Sequence, residues 1–136
     1  MKRLLLVLLV AAAILSVGCP QAPIATRLLI DITTQEAFTL IQDNQDNPDF
    51  VIIDVRTPEE FAQGHIETAG NLDYHSETFR DELNNLDKDK TYLVYCGSGG
   101  RSAGALAIME ELGFMEAYNM LDGISQWQAE GLPVTE

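Results

Sequence analysis

Short apolar runs with strand character alternate with helix signals from Leu28 onward, and this alternation limits the possible folds more than any other feature. Strand-like runs cover residues 28–30, 50–53, 91–95 and 117–120, and helix signals cover residues 33–41, 58–61, 78–86, 102–112 and 124–129. Residues 43–48 and 66–71 are assigned to loops. Strands separated by helices favour parallel pairing, so the sequence predicts an α/β fold with about five strands and five helices.

Local signals support several of these helices. Thr33 followed by Glu36 is a capping-box pattern, Pro58 occupies a favoured first-turn position, and Gly113 follows the last residue of an Ala-rich helix. Asp54 and Cys96 each come directly after a strand. Because the carboxyl ends of parallel strands meet at one edge of the sheet, both side chains are expected at that edge.

The first 18 residues are read as a targeting segment and not as part of the fold. Lys2 and Arg3 precede an apolar run over residues 4–15, which is too short for a permanent membrane span. Ser16, Val17, Gly18 and Cys19 then resemble the lipobox of bacterial lipoproteins. The prediction is a signal peptide over 1–18, a lipidated Cys19 with a tether over 19–27, and an exported, periplasmic or cell-surface protein that is lipid-anchored to the membrane. Simple secretion and an uncleaved anchor are the alternatives.

The remaining chain is strongly acidic. Removal of Lys2 and Arg3 with the signal peptide changes the formal net charge from −13 to −15, because six basic side chains then face twenty-one acidic ones. This balance argues against nucleic acid as a partner. An anionic substrate would approach against the overall field, so local backbone N–H groups and a few fixed cations would have to bind it.

The two cysteines have separate explanations, although a disulfide is the ordinary expectation for an exported protein. Cys19 sits at the predicted cleavage junction, whereas Cys96 ends an apolar run and precedes a glycine-rich loop. Cys96 is therefore predicted to be a free thiol. A free thiol in an oxidising compartment is a liability unless it is buried or chemically active, and the loop favours chemistry.

The loop that follows Cys96 carries the chemical signal. Its residues are Cys96, Gly97, Ser98, Gly99, Gly100, Arg101 and Ser102, placed between a strand and a helix. Three glycines allow backbone N–H groups to converge on one centre, and the helix N-terminus adds positive potential. This field stabilises a thiolate, so Cys96 is predicted to be a nucleophile assisted by Arg101. The hydroxyl groups of Ser98 and Ser102 are candidate donors to the loop or to a persulfide, with capping and turn roles as the alternative.

These seven residues resemble the active-site loop of rhodanese-homology domains. Residues 53–61, 64–66, 121–127 and 131–134 resemble other signatures of the same family, in order, so the likeness covers nearly all of residues 29–134. It implies a domain over 28–136 with a central, mostly parallel five-stranded sheet flanked by helices on both faces. It also implies that Cys96 takes a sulfane sulfur from thiosulfate or a persulfide and passes it to a thiol, cyanide or a protein acceptor, with no cofactor and no metal.

The chain departs from the family pattern at two turns. Glu67, Thr68 and Ala69 stand where Pro-Gly-Ala is common, and Asp122-Gly123 stands where a Gly-Gly pair is common. Both departures concern loop geometry and not the nucleophile.

Four other side chains that could take part in chemistry are given mainly structural readings. Asp54 and Arg56 are predicted to support the site by an ion pair and hydrogen bonds, with substrate shaping as the alternative. His65 lies in a Gly-His-Ile turn and is read as structural, and His75 lacks neighbours that would make a metal site.

Three other functions remain open at this point. A persulfide-carrying or docking module without turnover would keep the same residues. A phosphatase of related fold would have five residues between cysteine and arginine, and this chain has four. A thiol redox sensor would need a resolving cysteine, which is missing once Cys19 is lipidated.

Overall fold

The computed structural model describes residues 26–136, and their centre is a parallel five-stranded sheet in the order β1-β5-β4-β2-β3. The predicted signal peptide 1–18, Cys19 and most of the tether 19–27 lie outside the described residues. The strands are β1 (Leu28–Ile32), β2 (Phe50–Asp54), β3 (Gly70–Asn71), β4 (Thr91–Tyr95) and β5 (Glu116–Met120). The helices are α1 (Thr34–Asp43), α2 (Pro58–Ala62), α3 (Phe79–Asn84), α4 (Gly100–Leu112) and α5 (Gly123–Ala129). The predicted α/β fold is confirmed.

The sheet is covered on both faces, which explains why the central strand β4 is buried and apolar in character from Tyr92 to Tyr95. Along β4, Tyr92 and Val94 face α3 and α4, whereas Leu93 and Tyr95 face α1 and α5. Side chains of a strand alternate between the two faces, so a strand buried on both sides cannot carry polar residues at alternate positions. This arrangement leaves the strand ends, and not the sheet faces, as the place for a site.

Several element boundaries differ from the sequence prediction. Strand β1 runs to Ile32 and helix α1 to Asp43, each beyond its predicted end, and further differences concern β3, α3 and α4. Residues 66–71 were assigned to loop, but Gly70 and Asn71 pair with Ile53 and Asp54 as an edge strand. The pairing uses backbone groups alone, and two residues are too few for an apolar pattern. Helix α3 is shorter than the predicted 78–86, and α4 begins at Gly100 and not at Ser102.

Both departures from the family pattern contain a non-glycine residue in the left-handed region. Thr68 has φ 68° and Asp122 has φ 61°. Asp tolerates this region better than most side chains, whereas a β-branched Thr is a genuine outlier there. The two turns therefore adopt a conformation that glycine would favour, although this chain has glycine at neither position.

The C-terminal residues close the structure around His65 and Trp127. The backbone of His65 exchanges hydrogen bonds of 2.8 and 2.9 Å with Thr135, and the buried Trp127 donates from Nε1 to the carbonyl oxygen of Pro133 at 2.8 Å. The imidazole of His65 stacks on Phe61 with 3.7 Å between ring centres. These contacts fit the structural role predicted for His65.

Within residues 26–136, no helix combines the length and the apolar character needed to cross a membrane.

Candidate active site

The loop that begins at Cys96 lies where β4 ends and α4 begins, at the carboxyl edge of the sheet. Gly99 precedes α4 with φ 95°, a left-handed conformation that turns the chain directly into the helix. Behind the loop, Ile124 N–H donates to the carbonyl oxygen of Cys96 at 2.8 Å, and Ser125 N–H donates to that of Gly97 at 3.1 Å. The first turn of α5 therefore fixes the loop backbone from the side opposite the sulfur.

The Cys96 sulfur receives hydrogen bonds from the loop and from α4. Gly99 N–H lies 3.1 Å from Sγ, and the Ser102 hydroxyl lies 3.4 Å from it. Burial opposes ionisation of this thiol, which is only 1 % exposed. Hydrogen bonds from the Ser102 hydroxyl and from the backbone of Ser102, Ser98 and Gly99 outweigh burial, so the pKa of Cys96 lies below its ordinary value. The group of donors around the sulfur is called the cradle below.

The other predicted loop residues have distinct positions. Ser98 is exposed and contributes its backbone to the cradle, whereas Ser102 is buried and contributes its hydroxyl. Gly97 lies beneath Arg101, because an added Cβ would come within 3.3 Å of Arg101 Nη2. Gly100 and Arg101 belong to the first turn of α4. The structure brings all of these residues to one loop, whereas the sequence did not distinguish the roles of the two serines.

Arg101 does not present a free positive charge to the loop. Its two terminal nitrogens donate to the two carboxylate oxygens of Glu60 at 2.7 and 2.8 Å. The hydrogen bond from Arg101 lowers the pKa of Glu60 to about 2, and Glu60 in turn raises that of Arg101. The Cys96 thiolate makes a smaller contribution to raising the pKa of Arg101. The neutralising carboxylate of Glu60 was not foreseen.

Asp54 and Arg56 form a buried ion pair next to the loop. Arg56 Nη2 lies 2.7 Å from Asp54 Oδ2 and 2.7 Å from the carbonyl oxygen of Gly64. Burial opposes the charge of Arg56, but Asp54 outweighs it, so the pKa of Arg56 is raised. Asn71 Nδ2 donates to the backbone oxygens of Asp54 and Arg56 at 3.1 and 2.8 Å. The pair therefore ties β2 to the turn at Gly64, which fits its predicted supporting role.

A cavity of about 450 Å³ lies on the opposite face of the sheet from the cradle. Its apolar walls include Phe38, Phe50 and Trp127, and its described lining does not reach the Cys96 loop. This cavity is therefore separate from the Cys96 loop. Among residues 26–136, no group of three or more His, Cys, Asp and Glu side chains is arranged to hold a metal ion.

Substitution of Ser102 by alanine is expected to raise the pKa of the Cys96 thiol, because it removes the hydroxyl donor to the thiolate. The pH at which the rate of alkylation by iodoacetamide begins to rise should then be higher than in the wild type. At a pH below the wild-type pKa, the variant should be alkylated about tenfold more slowly than the wild type. Ser98→Ala keeps its backbone N–H and serves as the control. Identical pH profiles for Ser102→Ala and the wild type would show that the Ser102 hydroxyl does not stabilise the Cys96 thiolate.

Comparison with known proteins identifies the fold and the loop together. A family profile described as a rhodanese-like domain matches residues 37–130, which include the cradle, Glu60 and the Asp54–Arg56 pair. The chain belongs to the rhodanese-like domain family. A sulfurtransferase of Allochromatium vinosum is 36% identical over 96 residues, which cover 71% of this chain and 88% of the relative. The thiosulfate sulfurtransferase GlpE of Pseudomonas putida is 39% identical over 79 residues, covering 58% of this chain and 70% of the relative.

Solved structures agree with the rhodanese-like fold. A rhodanese-related protein of Thermoplasma volcanium superposes with a TM-score of 0.64 at 30% identity, covering 77% of this chain and 96% of that one. A rhodanese-like domain protein of Staphylococcus aureus superposes with a TM-score of 0.62 at 34% identity, covering 78% and 98%. The sheet and helices described above are therefore those of the family.

Rhodanese-like domains also occur within longer enzymes. The tRNA uridine(34) hydroxylase of Photorhabdus laumondii is 35% identical over 99 residues, which cover 65% of this chain but only 28% of that protein. Family membership alone thus leaves the specific activity open.

Two contributors to the rhodanese-like site were missed in the sequence. Glu60 is 41 residues from Arg101 along the chain. The feature of the sequence that could have indicated it is Thr57 followed three residues later by Glu60, which is a second capping-box pattern. Tyr95 is buried beside Asp54 and accepts a hydrogen bond from Ile66 N–H at 3.0 Å. Burial and the Asp54 charge raise the pKa of Tyr95, so it stays a neutral phenol beside the Asp54–Arg56 pair. In the sequence, only the position of Tyr95 at the end of an apolar strand indicated that it lies near the site.

Proposed function

We propose that this rhodanese-like domain is a sulfurtransferase in which Cys96 carries a sulfane sulfur as a persulfide. The observation that carries the proposal is the cradle, in which Gly99 N–H and the Ser102 hydroxyl point at the sulfur and the pKa of the thiol is lowered. A cysteine that only filled space would not need these donors. Similarity to two named sulfurtransferases supports the same reaction class.

The proposed reaction has two steps. The Cys96 thiolate attacks the outer sulfur of a donor R–S–SH, the S–S bond of the donor breaks with its electron pair leaving on RS⁻, and Cys96–S–SH forms. In the second step an acceptor thiolate or cyanide attacks the outer sulfur, and the bond to Cys96 breaks to restore the thiolate. Thiosulfate would react in the same way with sulfite as the leaving group. The cradle donors stabilise the sulfur anion at each stage.

Intact-protein mass spectrometry tests this proposal. The soluble domain, without residues 1–19, is incubated with thiosulfate or with an organic persulfide. A gain of about 32 Da that cyanide or excess thiol removes is the expected result, because one sulfur atom is held in an exchangeable bond. A folded protein with a free thiol that gains no mass from any donor would contradict the proposal.

A persulfide-docking module without turnover is the second candidate. The burial of Cys96 favours it, because a nucleophile that is 1 % exposed gives a small donor little access without movement of the loop. The mass experiment separates the two readings, since a carrier would accept sulfur only from a partner protein. The phosphatase reading has less support, because the loop has four residues between Cys96 and Arg101.

We further propose that residues 1–18 are a signal peptide, that Cys19 is lipidated, and that the tether over 19–27 holds the domain 28–136 at a membrane outside the cytoplasm. The support is the sequence pattern around Cys19. The full-length protein, expressed in a bacterium that processes lipoproteins, should begin at Cys19 and carry acyl mass. Cys19→Ala should lack that mass and leave the membrane fraction. Unchanged membrane attachment of Cys19→Ala would contradict the anchor.

A further inference from the structure

The positive charge nearest to the Cys96 loop is already paired. Both terminal nitrogens of Arg101 bind the carboxylate of Glu60, and Arg56 is held by Asp54. Glu60 is in turn fixed by the capping box of α2, because its Oε2 accepts from Thr57 N–H at 3.0 Å. Turning the carboxylate away from Arg101 would therefore also break its hydrogen bond to the cap.

The other basic residues of the described chain lie at the opposite edge of the sheet. Arg27 precedes β1 and donates to the carbonyl oxygen of Glu110 near the end of α4, and Arg80 pairs with Glu111 at 2.8 Å. Lys88 and Lys90 precede β4, whereas Cys96 follows it. Among residues 26–136, no unpaired lysine or arginine therefore stands at the Cys96 edge.

Acidic side chains near the Cys96 loop make its surroundings more negative. Asp122 is exposed at the turn before α5, and its backbone nitrogen would lie 3.1 Å from a Cβ added to Gly99. Glu59 is exposed beside Glu60. Backbone N–H groups and the Ser102 hydroxyl are consequently the main stabilisers of negative charge at the sulfur.

We propose that Glu60 cancels the charge of Arg101 over the cradle and thereby makes this domain select organic persulfides over thiosulfate. This inference rests on the proposed sulfur transfer. Attack of the thiolate on a thiosulfate dianion gathers three negative charges, whereas attack on a persulfide R–S–SH of an uncharged thiol gathers one, or two if the persulfide is ionised. Among residues 26–136 the two cations near the cradle, Arg101 and Arg56, are both neutralised by carboxylates, and such a cradle penalises the first reaction most. Glu60 is a positioning residue, because it acts through Arg101.

The test compares two donors across matched variants of the soluble domain. Glu60→Gln removes the carboxylate charge while its amide oxygen can still accept from Thr57 N–H. Glu59→Gln makes the same charge change one residue away, on an exposed side chain. The donors are thiosulfate and the persulfide of 2-mercaptoethanol. The measurement is the second-order rate constant for the addition of one sulfur atom to Cys96, followed as a mass gain of about 32 Da.

Glu60→Gln is expected to raise the rate with thiosulfate about tenfold and the rate with the uncharged persulfide by less than about threefold. Added salt should favour its thiosulfate rate less than that of the wild type, because salt then screens the attraction between the free Arg101 and the dianion as well as the repulsion by the acidic protein. Glu59→Gln should change either rate by less than about twofold. The variant-to-wild-type ratio for each donor is the decisive quantity, since it cancels the intrinsic reactivity of the donor.

A reverse variant covers the case in which Glu60→Gln does not fold. Arg101→Gln leaves Glu60 uncompensated, so it should lower the thiosulfate rate at least about tenfold and the persulfide rate less. Equal effects on both donors in either folded variant would overturn the selection by charge and leave the persulfide cycle standing. Failure of both donors to load the folded wild type and the folded variants would overturn the cycle and the selection together.

Discussion

Cys96→Ser is expected to abolish sulfur transfer, with a fall in rate of at least about a thousandfold. A serine hydroxyl is not ionised by a cradle that lowers a thiol pKa, and it cannot form a persulfide. Serine has nearly the same shape, so it can accept the hydrogen bond from Gly99 N–H and should leave the fold intact. The measurement is the 32 Da gain of about one sulfur atom, together with the transfer of that sulfur to cyanide.

The sequence makes this experiment easy to interpret. Cys19 and Cys96 are the only cysteines, so the soluble domain without residues 1–19 has a single thiol. Circular dichroism and thermal unfolding of the variant check that the fold is kept. Sulfur transfer by the Cys96→Ser variant at the wild-type rate would refute the mechanism.

Gly123→Ala is expected to lower the free energy of unfolding by about 3 kcal/mol or more and to disrupt the cradle. A Cβ at this position would lie 2.5 Å from the carbonyl carbon and oxygen of Gly97, and Gly123 has φ 59°. The clash is with backbone, so the loop itself would have to move. Urea unfolding measures the loss of stability, and the rate of persulfide formation measures the damage to the cradle.

Gly131→Ala is the matched control, because Gly131 also has positive φ, 71°, but an added Cβ would meet nothing within 4 Å. It should cost only about 1 kcal/mol, the penalty of the left-handed conformation alone. The difference between the two variants isolates the close approach of α5 to the loop. Equal losses in the free energy of unfolding for Gly123→Ala and Gly131→Ala would mean that the Cys96 loop can shift at no cost.

The fold and the cradle could be predicted because their signals are local. Strand runs, helix caps and the glycines around Cys96 each occupy a few consecutive residues. The neutralisation of Arg101 could not be predicted in the same way, because α2 and α4 come together only when β2 and β4 pair in the sheet. The edge strand β3 was missed because two backbone-paired residues leave no side-chain pattern.

The two turns that depart from the family pattern show how far sequence reasoning reaches into backbone geometry. Asp122 has φ 61°, in a region that Asp tolerates better than most side chains. Thr68 was noted as a departure, but its own positive φ was not predicted, because a β-branched residue disfavours that region. A backbone hydrogen bond of 3.0 Å from Ala69 N–H to the carbonyl oxygen of Ile66 closes the turn around Thr68.

The hydrogen bonds from α5 to the back of the Cys96 loop make the cradle preorganised. The carbonyl oxygens of Cys96 and Gly97 are occupied by N–H groups of Ile124 and Ser125, so the two peptide groups cannot rotate without breaking those bonds. The cost of orienting these dipoles is met when the chain folds and not when a sulfur anion forms. Ser98 N–H shares its peptide group with the Gly97 carbonyl, so thiol, thiolate and persulfide would meet this donor in the same place, with little reorganisation between one step and the next.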